Sequence, residues 1–135
     1  MNNGFVLVSL ICAVTASSAF SDEKYAPLPD RIIVAKTAFL ENTSGEQKFA
    51  DNVYRQLEQW GRWRVVTNRS EADIVVVLDH QDRFHNNFYM RVLDRESGET
   101  LWNGKRDVAI GSWGGVAKAL VGDLRKRLLP RADGK

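Results

Sequence analysis

Five consecutive apolar residues, Ile74-Val75-Val76-Val77-Leu78, impose the strongest constraint on how this chain can fold. β-branched side chains suit a pleated surface, and an apolar run without polar alternation is typical of a central strand covered on both faces. The run Ile32-Ile33-Val34-Ala35 has the same character. We therefore expect one central strand over 31–40 and a second at 74–78.

An amphipathic helix is expected between these two strands. Apolar side chains recur with helical spacing at Phe49, Val53, Leu57 and Trp60. Before them, Ser44-Gly45-Glu46-Gln47 matches a capping box, in which Ser44 and Gln47 would each satisfy a free backbone N–H. Gly61 follows the stripe and is well placed to end the helix in a left-handed conformation.

The remaining elements follow from shorter patterns. Strands are expected at 63–66, 88–93 and 100–108, the last two joined by a polar turn in which Gly98 can adopt a positive φ. A last helix begins near Val116 and is expected to stop at Pro130. The order β-α-β-β-β-β-α predicts an α+β fold with a mixed, largely antiparallel sheet of about five strands and two helices. If both helices lie on one face, the other face needs a partner protein, a second copy or the preceding segment 20–30 as cover.

The N-terminus predicts export. An apolar run over 5–14 is followed by small residues, with Ser17 and Ala19 at the positions that signal peptidase reads. The run falls short of the about 20 apolar residues that span a bilayer. We expect a signal peptide at 1–19, cleavage between Ala19 and Phe20, an extended lead-in at 20–30, one domain at 31–130 and a tail at 131–135. A buried apolar N-terminal element is the alternative.

Composition limits the function classes. The chain carries a net charge of +2, which gives no indication of nucleic acid or a membrane surface as a partner. Its one cysteine, Cys12, lies within the expected leader, so the mature chain would have neither a disulfide nor a thiol nucleophile. We expect a periplasmic or secreted protein without a stable membrane anchor.

The polar segment 79–87 holds both histidines, His80 and His85, together with two carboxylates. A zinc site needs three or four converging ligands, and a spacing of five residues suits neither one helix face nor one strand face. A solvated hairpin loop is the simpler interpretation. Neither Ser97 nor Ser112 lies in the Gly-x-Ser-x-Gly elbow of a catalytic serine, and no phosphate loop is present. We expect no cofactor, no metal and no catalytic residue.

Four tryptophans raise the possibility of a sugar-binding surface. Trp60 and Trp63 flank Gly61 and are expected in the core. Trp102 follows Leu101 in a strand, so one of the two should point away from the helices. Trp113 stands between glycines and is the best candidate for exposure. The candidate partner or ligand surface therefore comprises Trp113, Trp102, His80 and His85.

An ordered series of segments supports a family resemblance: 39–45 closing a strand, 61–66 after a helix, 71–76 opening a strand and 93–102 around a turn. The series resembles the small α/β domains of the TolB amino-terminal and CsgG-like envelope protein families. Such a resemblance implies an envelope accessory or assembly role through protein contacts. The chain lacks the propeller of the first family and the pore-forming segments of the second.

These patterns predict an exported, non-enzymatic envelope accessory module that binds another envelope protein or itself. The alternative is a periplasmic domain that binds a small ligand or a glycan, and an envelope hydrolase ranks third.

Overall fold

The strands form one five-stranded sheet in the order β2-β1-β3-β4-β5. The computed structural model describes residues 28–81, 86–107 and 113–132, the last four as backbone only. The strands are β1 (Thr37–Asn42), β2 (Arg64–Val66), β3 (Ile74–Gln81), β4 (Asn87–Asp94) and β5 (Thr100–Asp107). The helices are α1 (Asp30–Val34), α2 (Gln47–Trp60) and α3 (Trp113–Ala132), and Arg69–Glu71 forms a single 3₁₀ turn.

The sheet is mixed, as predicted. β1 pairs in parallel with β2 and with β3, whereas β4 pairs antiparallel with β3 and with β5. The α+β class and the five strands are confirmed, although the described part of the chain has one helix more than expected. The predicted signal peptide, its Ala19–Phe20 cleavage point and most of the lead-in lie outside the described residues.

All three described helices pack on one face of the sheet. Their buried side chains join a single core cluster with alternate residues of the strands. From the strands, this helix face contributes chiefly Ala38, Ile74, Val76, Leu78, Phe88, Met90 and Val92. Within this cluster, Phe49 of α2 packs edge-to-face with Phe88 of β4, with ring centroids 4.7 Å apart.

The second face of the sheet is also buried at β3. Val75 and Val77 point away from the helix cluster, yet both are buried. The connection from β2 to β3 crosses β1 on this face, since Arg69 pairs with Glu41 and Thr37 Oγ1 donates to the carbonyl of Glu71 at 3.1 Å. The prediction that 74–78 is a strand buried on both sides is confirmed, and part of the cover comes from this short connection.

The predicted strand over 31–40 is wrong in its first half. Residues 30–34 form α1, and the strand begins only at Thr37. Pro29 precedes the helix with φ at −62°, and Ile32 turns into the core while Val34 remains 68% exposed. The β-branched run favours a strand locally, but burial of one side of a short helix overrides that preference.

The start and end of α2 give opposite outcomes. Gly61 has φ at 74° and its N–H donates to the carbonyl of Leu57, which confirms the left-handed end. The capping box is wrong: α2 begins at Gln47, and its preceding residue Glu46 makes no side-chain cap. Ser44 instead folds the loop before the helix, where its Oγ accepts from the N–H of Glu46 at 3.0 Å.

Two further expectations need correction. Trp102 opposes Val92, but Leu93 opposes Thr100, so Leu101 is an extra residue in a β-bulge. A bulge interrupts the alternation of side chains, and Leu101 and Trp102 both enter the core. The last helix does not stop at Pro130, because its backbone continues to Ala132. None of the described helices is both long enough and apolar enough to cross a membrane.

Candidate functional site

The structure describes three of the four residues expected to form a surface, namely Trp102, Trp113 and His80. Trp102 is only 8% exposed, so its indole offers no free ring face. Trp113 is half-buried at the start of α3, with its ring edge against Phe88 at a centroid distance of 5.3 Å. His85 lies outside the described residues. A binding role for these residues stays a prediction, which the burial of the two indoles does not favour.

His80 is held between aromatic and polar neighbours at the end of β3. Its imidazole stacks on Phe88 with centroids 4.2 Å apart and planes 12° apart, and only 9% of the side chain is exposed. Nε2 donates to Oδ1 of Asn86 at 2.7 Å, and Nδ1 lies 3.9 Å from Oε2 of Glu46. This arrangement fastens the start of β4 and the loop before α2 to the end of β3.

Trp63 is buried in the core, as expected. Its ring packs edge-to-face with that of Trp60, with ring centroids 5.3 Å apart. Trp60 is half-buried, and the guanidinium of Arg125 lies 5.8 Å from its ring centroid. These contacts tie the end of α2 to α3. The ring of Trp60 therefore contributes to packing between the two long helices, and Trp63 packs against that ring.

A charged network closes the opposite end of the sheet, around a cavity of about 270 Å³. Arg31 of α1 donates to Oδ2 of Asp94 at 2.9 Å, and Arg95 Nε donates to the carbonyl of Ala72 at 2.7 Å. The backbone N–H and hydroxyl of Ser97 also donate to Asp94, and these bonds, with Arg31, lower the pKa of its carboxyl. The bonds that Arg31 and Ser97 donate to Asp94 therefore fix the turn between β4 and β5.

Asp73 connects the start of β3 to the start of β1. Its Oδ2 accepts from the backbone N–H of Lys36 at 2.8 Å and from that of Thr37 at 3.3 Å. The bond from Lys36 is the main cause that lowers the pKa of the Asp73 carboxyl; the bonds from Thr37 and the charge of Arg95 lower it further, against a partial desolvation. The carboxylate therefore acts as a structural clamp between two parallel strands.

An apolar groove opens at the β2 edge of the sheet, with a volume of about 360 Å³. One wall is a stripe of α2 that carries Ala50, Asp51 and Tyr54, and the opposite wall includes Leu40 of β1 and Val65 of β2. Tyr54 is 46% exposed and, with Val34, is one of two exposed large apolar side chains in the part of the chain that the structure describes. We call this feature the edge groove.

The edge groove exists because β2 is short. Its three residues pair only with Thr37–Phe39, so no residue of β2 lies beside the second half of β1. α2 continues over the second half of β1, where β2 is missing. The side of α2 that carries Tyr54 is therefore left uncovered. The edge groove was not predicted from the sequence. Ala50 and Tyr54 are spaced four apart beside the predicted core stripe, and this spacing is typical of a second apolar contact on the same helix.

The described residues provide no evident catalytic constellation. Within ranges 28–81, 86–107 and 113–132, no three or more His, Cys, Asp or Glu side chains group closely enough to hold a metal ion. The polar contacts of Asp94, Asp73 and His80 each join two structural elements. The edge groove is the candidate binding site that these residues leave open.

A scan against protein-family models finds none that matches this chain, and a search of curated proteins finds no match. Solved structures with a similar fold include protein XCC0632 from Xanthomonas campestris, with a TM-score of 0.53, 13% identity, and coverage of 82% of this chain and 95% of that one. A PelC dodecamer from Paraburkholderia phytofirmans has a TM-score of 0.47 at 14% identity, covering 69% of this chain and 86% of that one. The LpoB C-terminal domain from Escherichia coli has a TM-score of 0.45 at 13% identity, covering 71% and 93%.

These comparisons correct the resemblance drawn from sequence. The solved structure that shares this fold is a DUF330 protein, and the assignment to the TolB amino-terminal and CsgG-like families is wrong. The segments that suggested it are strand ends and turns, which mark a chain path that unrelated sequences can share. At identities of 13–14% the likeness is one of fold, and this chain has the fold of XCC0632.

Proposed function

We propose that this protein is an exported, non-enzymatic accessory protein of the bacterial cell envelope that acts through protein contacts, with another envelope protein rather than a second copy of itself as the partner. The observation that carries the proposal is the edge groove, an apolar opening with a large exposed side chain, Tyr54, on its wall. Exposed apolar surface rimmed by polar residues is one mark of a protein-contact site. The leader pattern over 1–19 supports a location in the periplasm or outside the cell.

A protein-binding role agrees better with the described geometry than a ligand-binding or enzymatic one. A glycan site needs an indole face open to solvent, whereas Trp102 is buried and Trp113 is half-buried with its edge on Phe88. An envelope hydrolase needs a nucleophile or an acid–base pair in a cleft, and the edge groove is lined by a single carboxylate, that of Asp51.

The test is in-cell crosslinking of the tagged chain, expressed with its own leader, followed by purification from the envelope fraction and mass spectrometry. We expect a mature chain that begins at Phe20 and one abundant crosslinked envelope protein. A chain without residues 1–19 is the control, because it should remain in the cytoplasm and lose the crosslinked protein. A strictly monomeric mature chain with no crosslinked envelope protein would overturn the proposed function.

A further inference from the structure

We propose that the edge groove receives an extended segment of the partner protein, in which a bulky apolar side chain stands next to a lysine or arginine. This inference rests on the proposed function and adds the docking site and the chemistry of the partner. Three features of the groove support it: the backbone groups at its edge, its apolar lining and the charge around Tyr54.

The edge of the sheet favours an extended partner. The N–H of Arg64 donates to the carbonyl of Lys36 at 2.9 Å, so the alternate residue Val65 directs its own N–H and carbonyl away from β1. β2 is the outermost strand, and these two groups lie at the lip of the groove. A segment in an extended conformation can bond them, as in other peptide complexes that add to a sheet edge.

The lining favours one large apolar side chain. Leu40, Ala50 and Val65 provide apolar surface, and Tyr54 stands beside them with nearly half of its surface in solvent. The volume of about 360 Å³ is at the lower end of the range for ligand pockets. A tyrosine that is already ordered on a helix loses little side-chain entropy on binding, which makes it a suitable anchor.

The charge around Tyr54 favours a basic neighbour for that side chain. Asp51 and Glu58 lie three residues before and four residues after Tyr54 on α2, so both flank it on the helix surface. The ion pairs between described residues involve neither carboxylate. Arg55, the nearest cation in sequence, donates to Oδ1 of Asn52 at 3.0 Å. Asp51 lines the groove, and its Oδ1 accepts a bond from Nε2 of Gln47 at 2.8 Å but has no described cationic partner, so a lysine or arginine of the segment can pair with it.

The β5 edge of the sheet is a poor alternative for the same partner. β5 is eight residues long, and Lys105 and Asp107 are exposed on it. Charged side chains on an edge strand are a common protection against the addition of another strand. β2, whose one exposed charged side chain is that of Arg64, is the edge that borders the apolar groove.

Site-specific photocrosslinking in living cells tests the inference. The crosslinking residue p-benzoylphenylalanine replaces Tyr54 or Thr67, both at the groove, or Val34, which is exposed at the opposite end of the sheet. We expect an adduct from the two groove positions and none from position 34. Mass spectrometry of the adduct should map to a segment of an envelope protein with a bulky apolar residue next to a lysine or arginine. An adduct with a second copy of this chain, with lipid, or with a segment of another composition would overturn the inference.

Charge and anchor variants in the same cells measure the contribution of the groove. Tyr54→Ala and Asp51→Lys should each lower the yield of the adduct formed at position 67 by about tenfold or more. Val34→Ala and Glu96→Lys make the same kinds of change at the far end of the sheet and should leave the yield unchanged. Far-ultraviolet circular dichroism of each purified variant confirms that the domain is folded.

The two proposals fail in different ways. The in-cell crosslinking of the tagged chain can capture an envelope protein while the groove positions give no adduct and the groove variants bind normally. In that case the partner uses another surface, and only the groove inference is wrong. If the wild-type chain captures no envelope protein, the proposed function itself is wrong.

Discussion

Gly104 offers the sharpest test of the described packing, because the indole of Trp102 lies over it. Gly104 pairs with Met90 in the β4–β5 ladder, so a side chain there would point to the helix face. A Cβ atom built on Gly104 would lie 2.3 Å from Cη2, 2.9 Å from Cζ3 and 3.0 Å from Cζ2 of Trp102. We predict that Gly104→Ala destabilises the domain.

The magnitude follows from the overlap. To restore ordinary contact near ~3.5 Å, the indole has to move by about 1.2 Å, and it is enclosed by core side chains. Overpacking of this kind costs about 1–3 kcal/mol. Replacing a strand glycine by alanine recovers about 0.5–1 kcal/mol of backbone entropy. With the middle of each range, the net loss in the free energy of unfolding should be about 1.2 kcal/mol.

Urea unfolding followed by circular dichroism measures this loss. With a slope of about 1–3 kcal/mol per molar urea, the midpoint should fall by roughly 0.4–1.2 M. Gly122→Ala is the matched control: it makes the same change in α3, where a Cβ would meet nothing within 4 Å, and should stabilise the domain by about 0.5–1 kcal/mol. In a Trp102→Leu background the cost of Gly104→Ala should disappear. A Gly104→Ala variant as stable as the wild type would refute the placement of the indole.

Three other substitutions probe the same framework. Asp73→Asn should lower the free energy of unfolding by about 0.5–1 kcal/mol at pH 7. Because the pKa of the Asp73 carboxyl is lowered in the native state, its stabilising effect is present above the unfolded pKa near ~3.9 and is lost as the pH falls through the native pKa. The urea midpoints of variant and wild type should therefore converge below about pH 4. A constant difference between them at every pH would contradict the clamp from Asp73 to Lys36. Gly61→Ala should cost about 1 kcal/mol from backbone strain alone, since φ is 74° and nothing lies within 4 Å; thermal unfolding that matches the wild type would count against the left-handed end of α2. Phe88→Ala should cost about 3–5 kcal/mol by urea unfolding, because the ring is fully buried between Phe49 and Trp113, and a loss below about 1 kcal/mol would be inconsistent with that contact.

Sequence reasoning succeeded where local pattern and tertiary environment agree. The stripe from Phe49 to Leu57 is buried as expected, and Gly61 ends the helix as expected, because both signals arise within a few residues. The run at 74–78 became a strand buried on both sides for the same reason. Gly98 has φ at 77° in the turn between β4 and β5, in agreement with the predicted hairpin.

The predictions were wrong where contacts between residues distant in sequence determine the local structure. Ile32 is helical because its side chain fills the core under α1, a contact that the β-branched run does not reveal. Trp102 is buried because of the bulge at Leu101, and a bulge depends on the register with β4. The edge groove depends on the relative lengths of α2, β1 and β2, which no single segment encodes.

Those lengths explain why the groove is present. At about 1.5 Å per helical residue and 3.3 Å per strand residue, the fourteen residues of α2 span about 21 Å and the three of β2 only about 10 Å. β2 ends early because the chain must leave the sheet, cross β1 and return to begin β3 beside it. Asn68 fixes that departure, since its Oδ1 accepts from the N–H of Ser70 at 3.1 Å and starts the 3₁₀ turn. The opening is therefore a consequence of topology, whereas its chemistry is set by the side chains that α2 presents. Substitutions of Asp51 and Tyr54 should accordingly change the charge and the anchor of the groove without closing it.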